Sequence, residues 1–133
     1  MACTHSAAIV GLPIAQLSDA TEAVSTYYAV SAVDARGRLA ARTPVQVLGW
    51  APHQKIAVSF VEGIVVVTRH ANGYRSITRQ GHLHLPAPIM RRLRLGVGDR
   101  MLLAACPGSD LLAAFTLSAL DAMAVAYCAS LRG

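Results

Sequence analysis

Apolar and polar positions along this chain fall into blocks, and the blocks come twice. Residues 26–33 (Thr-Tyr-Tyr-Ala-Val-Ser-Ala-Val) are rich in aromatic and β-branched side chains. They predict a strand, ended by the Asp34-Ala35-Arg36-Gly37 turn and followed by a short strand near 38–41. Residues 74–78, the turn Arg79-Gln80-Gly81 and then 82–85 repeat that order. In His82-Leu83-His84-Leu85 the alternation is strict, which puts both leucines on one face and both imidazoles on the other. Pro86 closes its strand, and proline opens each helix because its fixed φ suits a first helical turn: Pro86 or Pro88 for 87–93, Pro44 for 45–48. Ile89 and Leu93, four apart, face the core together and leave Arg91, Arg92 and Arg94 wholly or partly outside. Gly96-Val97-Gly98-Asp99 then turns the chain into an apolar strand at 100–106, which pairs back with 111–116 as a hairpin. The matching hairpin joins 55–60 to 64–68.

Laid on each other with one single-residue gap, 37–58 and 81–103 form an internal repeat. A unit of about 45 residues is too short to bury a core alone, so two copies are expected to close on each other. The ends of the chain depart from the repeat. Residues 1–24 sustain neither a strand nor a helix period and read as a flexible arm. Residues 118–133 read as a helix, with Ser118 at the cap and Asp121 three positions on, as in a capping box. Its Leu120, Met123, Ala124, Tyr127 and Leu131 share a stripe expected to pack against the β-rich body, with a partner's groove as the alternative. The organisation is therefore an arm at 1–24, a first half at 25–70, a second half at 71–117 and a helix at 118–133.

Composition fits one domain: 133 residues, 54% of them hydrophobic. No apolar run approaches the roughly 20 residues a membrane helix needs; even 56–68 is interrupted by Ser59, Glu62 and Gly63. No Lys or Arg precedes Arg36, unlike the start of a secretory signal. Cys3, Cys106 and Cys128 are odd in number and lack CxxC spacing, which reads as reduced thiols in a cytoplasmic protein.

Charge changes the picture more. Residues 1–33 carry Asp19 and Glu22 and no Lys or Arg, whereas the remainder holds all twelve Lys and Arg against five acids. Arg69, Arg75, Arg79, Arg91, Arg92, Arg94 and Arg100 gather in the second half and its approach, with Asp99 as the one acid between Arg69 and Arg100. Such a block on an apolar chain points to an anionic partner, most simply nucleic-acid phosphates; a solvated face is the plainer reading. Arginine suits that role because its planar fork of donors meets phosphate or the O6/N7 edge of guanine.

Catalytic and metal chemistry find less support. His82 and His84 lie two apart on one strand face, but no third His, Cys or carboxylate has the spacing to complete a metal site. Neither Cys106 nor any serine has a local base and orienting acid, and Gly96-Val97-Gly98 lacks the length and the lysine of a phosphate loop. Trp50 falls where the second half has Leu95, so core packing is its expected role. We expect neither an enzyme nor a bound cofactor.

The string from Gly81-His82-Leu83-His84-Leu85-Pro86 through Arg91-Arg92-Leu93-Arg94 to Gly98-Asp99-Arg100 resembles the AbrB/MazE/SpoVT family of swapped-hairpin DNA-binding domains. The likeness covers 74–116 well and 29–68 more loosely. It implies a mainly β fold with short helices: a swapped-hairpin β-barrel made by two tandem repeats of one chain, plus a C-terminal helix. It also implies a sequence-specific double-stranded DNA-binding protein, a transcriptional regulator associated with the nucleoid. The alternative is an antitoxin that clamps a toxin through 1–24 or 118–133, and a homodimer through one repeat is a further option.

Carried over residue by residue, the family's arginine before the turn matches Arg75, and the basic residue after the turn glycine matches His82 and Arg38. The second helix arginine matches Arg91, while the first falls on Met90, where Arg92 or Arg94 can substitute. Arg79, His84, Arg36 and Arg42 complete the set of candidate DNA contacts. The first half departs further: Arg42 replaces Pro86, the 45–48 helix has no cation, and His53-Gln54 replaces glycine-aspartate. Its DNA face should therefore be the weaker, and Arg75, Arg79, Arg91 and Arg92 should carry more affinity than Arg36, Arg38 and Arg42.

Overall fold

A computed structural model describes residues 25–132. In chain order these form β1 (Tyr27–Ala32), α1 (Thr43–Val47), β2 (Lys55–Val61), β3 (Ile64–Arg69), β4 (Arg75–Ser76), α2 (Ala87–Leu93), β5 (Arg100–Cys106), a 3-10 turn (Pro107–Ser109), β6 (Leu111–Thr116) and α3 (Leu117–Arg132). The arm expected at 1–24 lies outside the described residues. The fold is mainly β: one six-stranded sheet in the order β1-β5-β6-β3-β2-β4, antiparallel at every pair and open at its ends.

That order interleaves the halves. β1 pairs with β5, so the first half's leading strand lies on the second half's hairpin, and β4 of the second half pairs reciprocally with β2 of the first. The hairpins β2–β3 and β5–β6 meet at the β3–β6 pair in mid-sheet. Strand edges of each half are thus covered by strands of the other, at β1–β5, β4–β2 and β3–β6.

Backbone hydrogen bonds recur between the halves. Gly37 N–H donates to Asp34 O at 3.0 Å, and Gly81 N–H to Thr78 O at 2.9 Å. His53 N–H reaches Ile77 O at 2.8 Å, and Gly98 N–H reaches Val33 O at 2.8 Å. His53 holds φ +70° where its counterpart is Gly98 at φ +87°, so the first half keeps the turn without the glycine that would relax it. Gly49 (φ +74°) and Arg94 (φ +56°) likewise both end a short helix in the left-handed region. The core draws equally on both halves, with Val33 and Ile77, Leu39 and Leu83, Ile56 and Met101 among its fully buried side chains.

Several expectations need correction. The strands near 38–41 and 82–85 shrink to isolated bridges, Val33–Leu39 and Arg38–His84, because each segment runs along its neighbour for only a residue or two. β4 is two residues long. Just before it, Gly73 lies so close to Ile56 that an added Cβ would clash with the Ile56 carbonyl oxygen. The terminal helix is capped by Thr116, whose Oγ1 accepts the Ala119 N–H at 3.1 Å, and not by Ser118, which lies inside it. Nor does its stripe pack on the sheet: Ala119 and Leu120 are half-buried and every residue from Asp121 to Arg132 is exposed.

Trp50 is buried, as its apolar position requires, but its indole N–H also donates to Asp110 Oδ1 at 2.8 Å. Arg69 Nε meets Asp110 Oδ2 at 2.9 Å, so one carboxylate ties the α1–β2 connection, the end of β3 and the β5–β6 turn together. The Arg69 guanidinium and then the indole hold the Asp110 carboxyl below the ordinary carboxylate range.

Candidate nucleic-acid interface

The turns of the two halves lie side by side. Leu39 N–H donates to Leu83 O at 2.9 Å and Leu85 N–H to Gly37 O at 2.8 Å, stitching the segment after one turn to the segment after the other. Gly37 is placed so tightly that a Cβ would meet Leu85 O at 2.9 Å. Arg42 adds a bond from Nη1 to Gln80 O at 3.3 Å.

Both candidate histidines belong to this seam. His84 Nε2 lies 2.7 Å from Arg36 O, and His82 Nδ1 lies 2.9 Å from Leu39 O. An imidazole nitrogen facing a carbonyl must carry its proton, so each ring is pinned as a donor and keeps one nitrogen over. The alternation placed the two rings on the face opposite buried Leu83 and Leu85, and they are half-buried there instead of projecting.

The arginines divide into spent and available. Arg38 Nε binds Asp34 Oδ2 at 2.7 Å. The same carboxylate accepts the backbone N–H groups of Arg36 and Arg38 at 2.9 and 2.8 Å. Those bonds, led by the Arg38 N–H, lower the Asp34 carboxyl to about 2. Arg69 is held by Asp110. Among the described residues these are the two salt bridges, so Arg75, Arg79, Arg91, Arg92 and Arg94, and Arg36 and Arg42 as well, are exposed without a carboxylate in salt-bridge contact.

Their placement follows from local sequence. Arg75 stands on β4 opposite Ile56 of β2, and Arg79 sits at the tip of the second turn. α2 starts directly after Leu85: Pro86 is its extended N-cap, Pro88 lies in its first turn, and Arg91 and Arg92 fill its last. Arg92 lies over the Phe60 ring at 4.5 Å, a cation–π contact that fixes the guanidinium plane. Arg94 takes the left-handed C-cap, and Asp99 Oδ2 accepts the Gly96 N–H at 2.7 Å to shape the turn that follows. The structure thus joins Arg36, Arg38, Arg42, His82 and His84 in one seam, while Arg92 is directed onto β2 of the opposite half.

Phe60 under Arg92 and the Asp34 clasp on Arg38 were both missed by sequence reasoning. The second had a signal, since Asp34 and Arg38 are four apart across a glycine turn; the first, linking residues far apart in the chain, had none. No family model, curated protein or solved structure matches this chain.

Proposed function

We propose that this is a sequence-specific double-stranded DNA-binding regulator of the AbrB-like type, its two tandem halves forming a swapped-hairpin barrel as the DNA-presenting scaffold. The observation that carries the reading is the unneutralised arginine set of the second half. Arg75 precedes and Arg79 lies in a turn locked against its counterpart, and Arg91 and Arg92 follow on the next helix, with no carboxylate among the described residues drawing them away. The reciprocal pairing of β1 with β5 and of β4 with β2 supports the swapped arrangement. In this reading the rigid seam supplies register and the arginines supply charge and base-edge contacts.

Duplex binding measured by fluorescence anisotropy at several salt concentrations tests it. Each contacted phosphate releases counterions, so log K should fall linearly with log salt, and Arg75→Ala or Arg79→Ala should lower the slope by about 1 each. Arg38→Ala, whose guanidinium Asp34 already holds, should change it far less. A protein that ignores duplex DNA at low salt, or whose salt slope survives the Arg75 and Arg79 substitutions, is not this regulator.

A further inference from the structure

Strand alternation gives the sheet a second apolar face. Met101, Leu103 and Ala105 of β5 point into the core, so the residues between them point the other way. Strand register aligns those outward residues across the sheet: Val30, Leu102, Phe115, Ile64 and Val61 form one row over five strands. The neighbouring row, from Tyr28 through Ala104, Ala113 and Val66 to Ser59, carries no charge either. At ~4.8 Å per strand the rows run ~19 Å.

The same molecule carries a matching element most of whose surface is uncovered among the described residues. Among the described residues α3 packs mainly on β6 and β5 near its start and is exposed from Asp121 onward. Asp121 and Arg132 are its only charges, and apolar side chains surround its axis. A helix of that length is marginal in water alone, and one apolar on every side is ordinarily buried.

We infer that α3 of one copy packs across the outward sheet face of a second copy, and reciprocally, in a two-fold homodimer. Area supports a second copy. Tyr28 (62%), Val30 (60%), Val61 (52%), Val125 (61%), Tyr127 (46%) and Leu131 (68%) are the exposed fractions at issue. On side chains of ~150–250 Å² these amount to roughly 600 Å², most of the ~800 Å² one partner contributes to a stable interface. Charge supports it as well. The chain carries +5, so two copies repel through most of their surface and least through these uncharged rows. An uncharged sheet face and an exposed helix on one molecule also suit an isologous contact, in which each copy supplies both parts. This interface is separate from the pairing of halves within a chain, and it does not depend on DNA binding.

Sedimentation equilibrium of the full chain without DNA tests it. The expected mass is twice the 14.0 kDa of one chain. Val30→Lys with Val61→Lys on the sheet, or Tyr127→Glu with Leu131→Glu on the helix, should each weaken association roughly 100-fold. All four residues are solvent-exposed in the monomer or half-way to it, so circular dichroism should report an unchanged fold. Mixing the two double variants should restore a dimer, because lysine-bearing sheet then meets glutamate-bearing helix and the other contact is wild type. A monomeric wild type, a dimer indifferent to either pair, or a mixture that stays monomeric overturns the inference.

Discussion

Gly37 and Gly81 occupy equivalent turns with nearly equal φ, +83° and +89°, yet their surroundings differ. A Cβ on Gly37 would press on the Leu85 carbonyl at 2.9 Å, whereas on Gly81 its nearest neighbour is the Arg42 side chain at 3.8 Å. Gly81→Ala should therefore cost only the left-handed backbone, about 1 kcal/mol, and Gly37→Ala about 2–3 kcal/mol, because the seam must also open. Urea unfolding of both variants measures the difference. Asp34 bears on pH. Its carboxyl is lowered from 3.8 to about 2, so its contribution to stability is complete above the unfolded value and is lost as pH falls toward about 2. Thermal midpoints of the wild type should decline more steeply than those of Asp34→Asn over that interval, and parallel curves would contradict the assignment. The clasp that causes the shift spans five consecutive residues and could be read locally; the carbonyls that receive His82 and His84 come from the other half and could not.

At the level of elements, Thr116 decides where α3 starts. Thr116→Ala removes the hydroxyl that accepts the Ala119 N–H and should cost about 1 kcal/mol, read as fraying of the first turn by amide hydrogen exchange at Ala119 and Leu120. Ser118→Ala should leave that turn intact. The misreading has a physical source: Thr116 and Ser118 are both hydroxyls at a strand–helix junction, and the Ser118–Asp121 spacing mimics a capping box that the backbone does not use. Elsewhere the punctuation was reliable. Pro86, the glycine turn before Asp99 and the Pro107–Asp110 turn bound α2, β5 and β6, whose expected and observed limits agree. The crossing segments 38–39 and 83–85 were less legible, since alternation tells which side chains turn inward but not how long a strand finds a partner. The exposure of α3 was illegible for the same kind of reason, because an apolar stripe records that something covers it and not what.

Across the whole molecule, the halves share a backbone plan and differ in chemistry. α1 carries no cation in its last turn where α2 carries Arg91 and Arg92, and among the described residues Arg38 and Arg42 are engaged where Arg75 and Arg79 are not. Under the proposed function, selection of bound duplexes from random DNA should yield one strong half-site beside a weaker, different one, and a perfect palindrome would contradict this division. The repeat was legible because both copies lie in one sequence; the Trp50–Asp110–Arg69 tie was not, since it joins two connections and a strand end through side chains distant in the chain. The interleaving of β1 with β5 and of β4 with β2 within a single polypeptide has a kinetic corollary. Each half finds its complement at the effective concentration set by a short tether, so assembly of the sheet is first-order and indifferent to dilution. A cell holding one such molecule would hold a finished scaffold, and inheritance could alter one arm without ever altering the other.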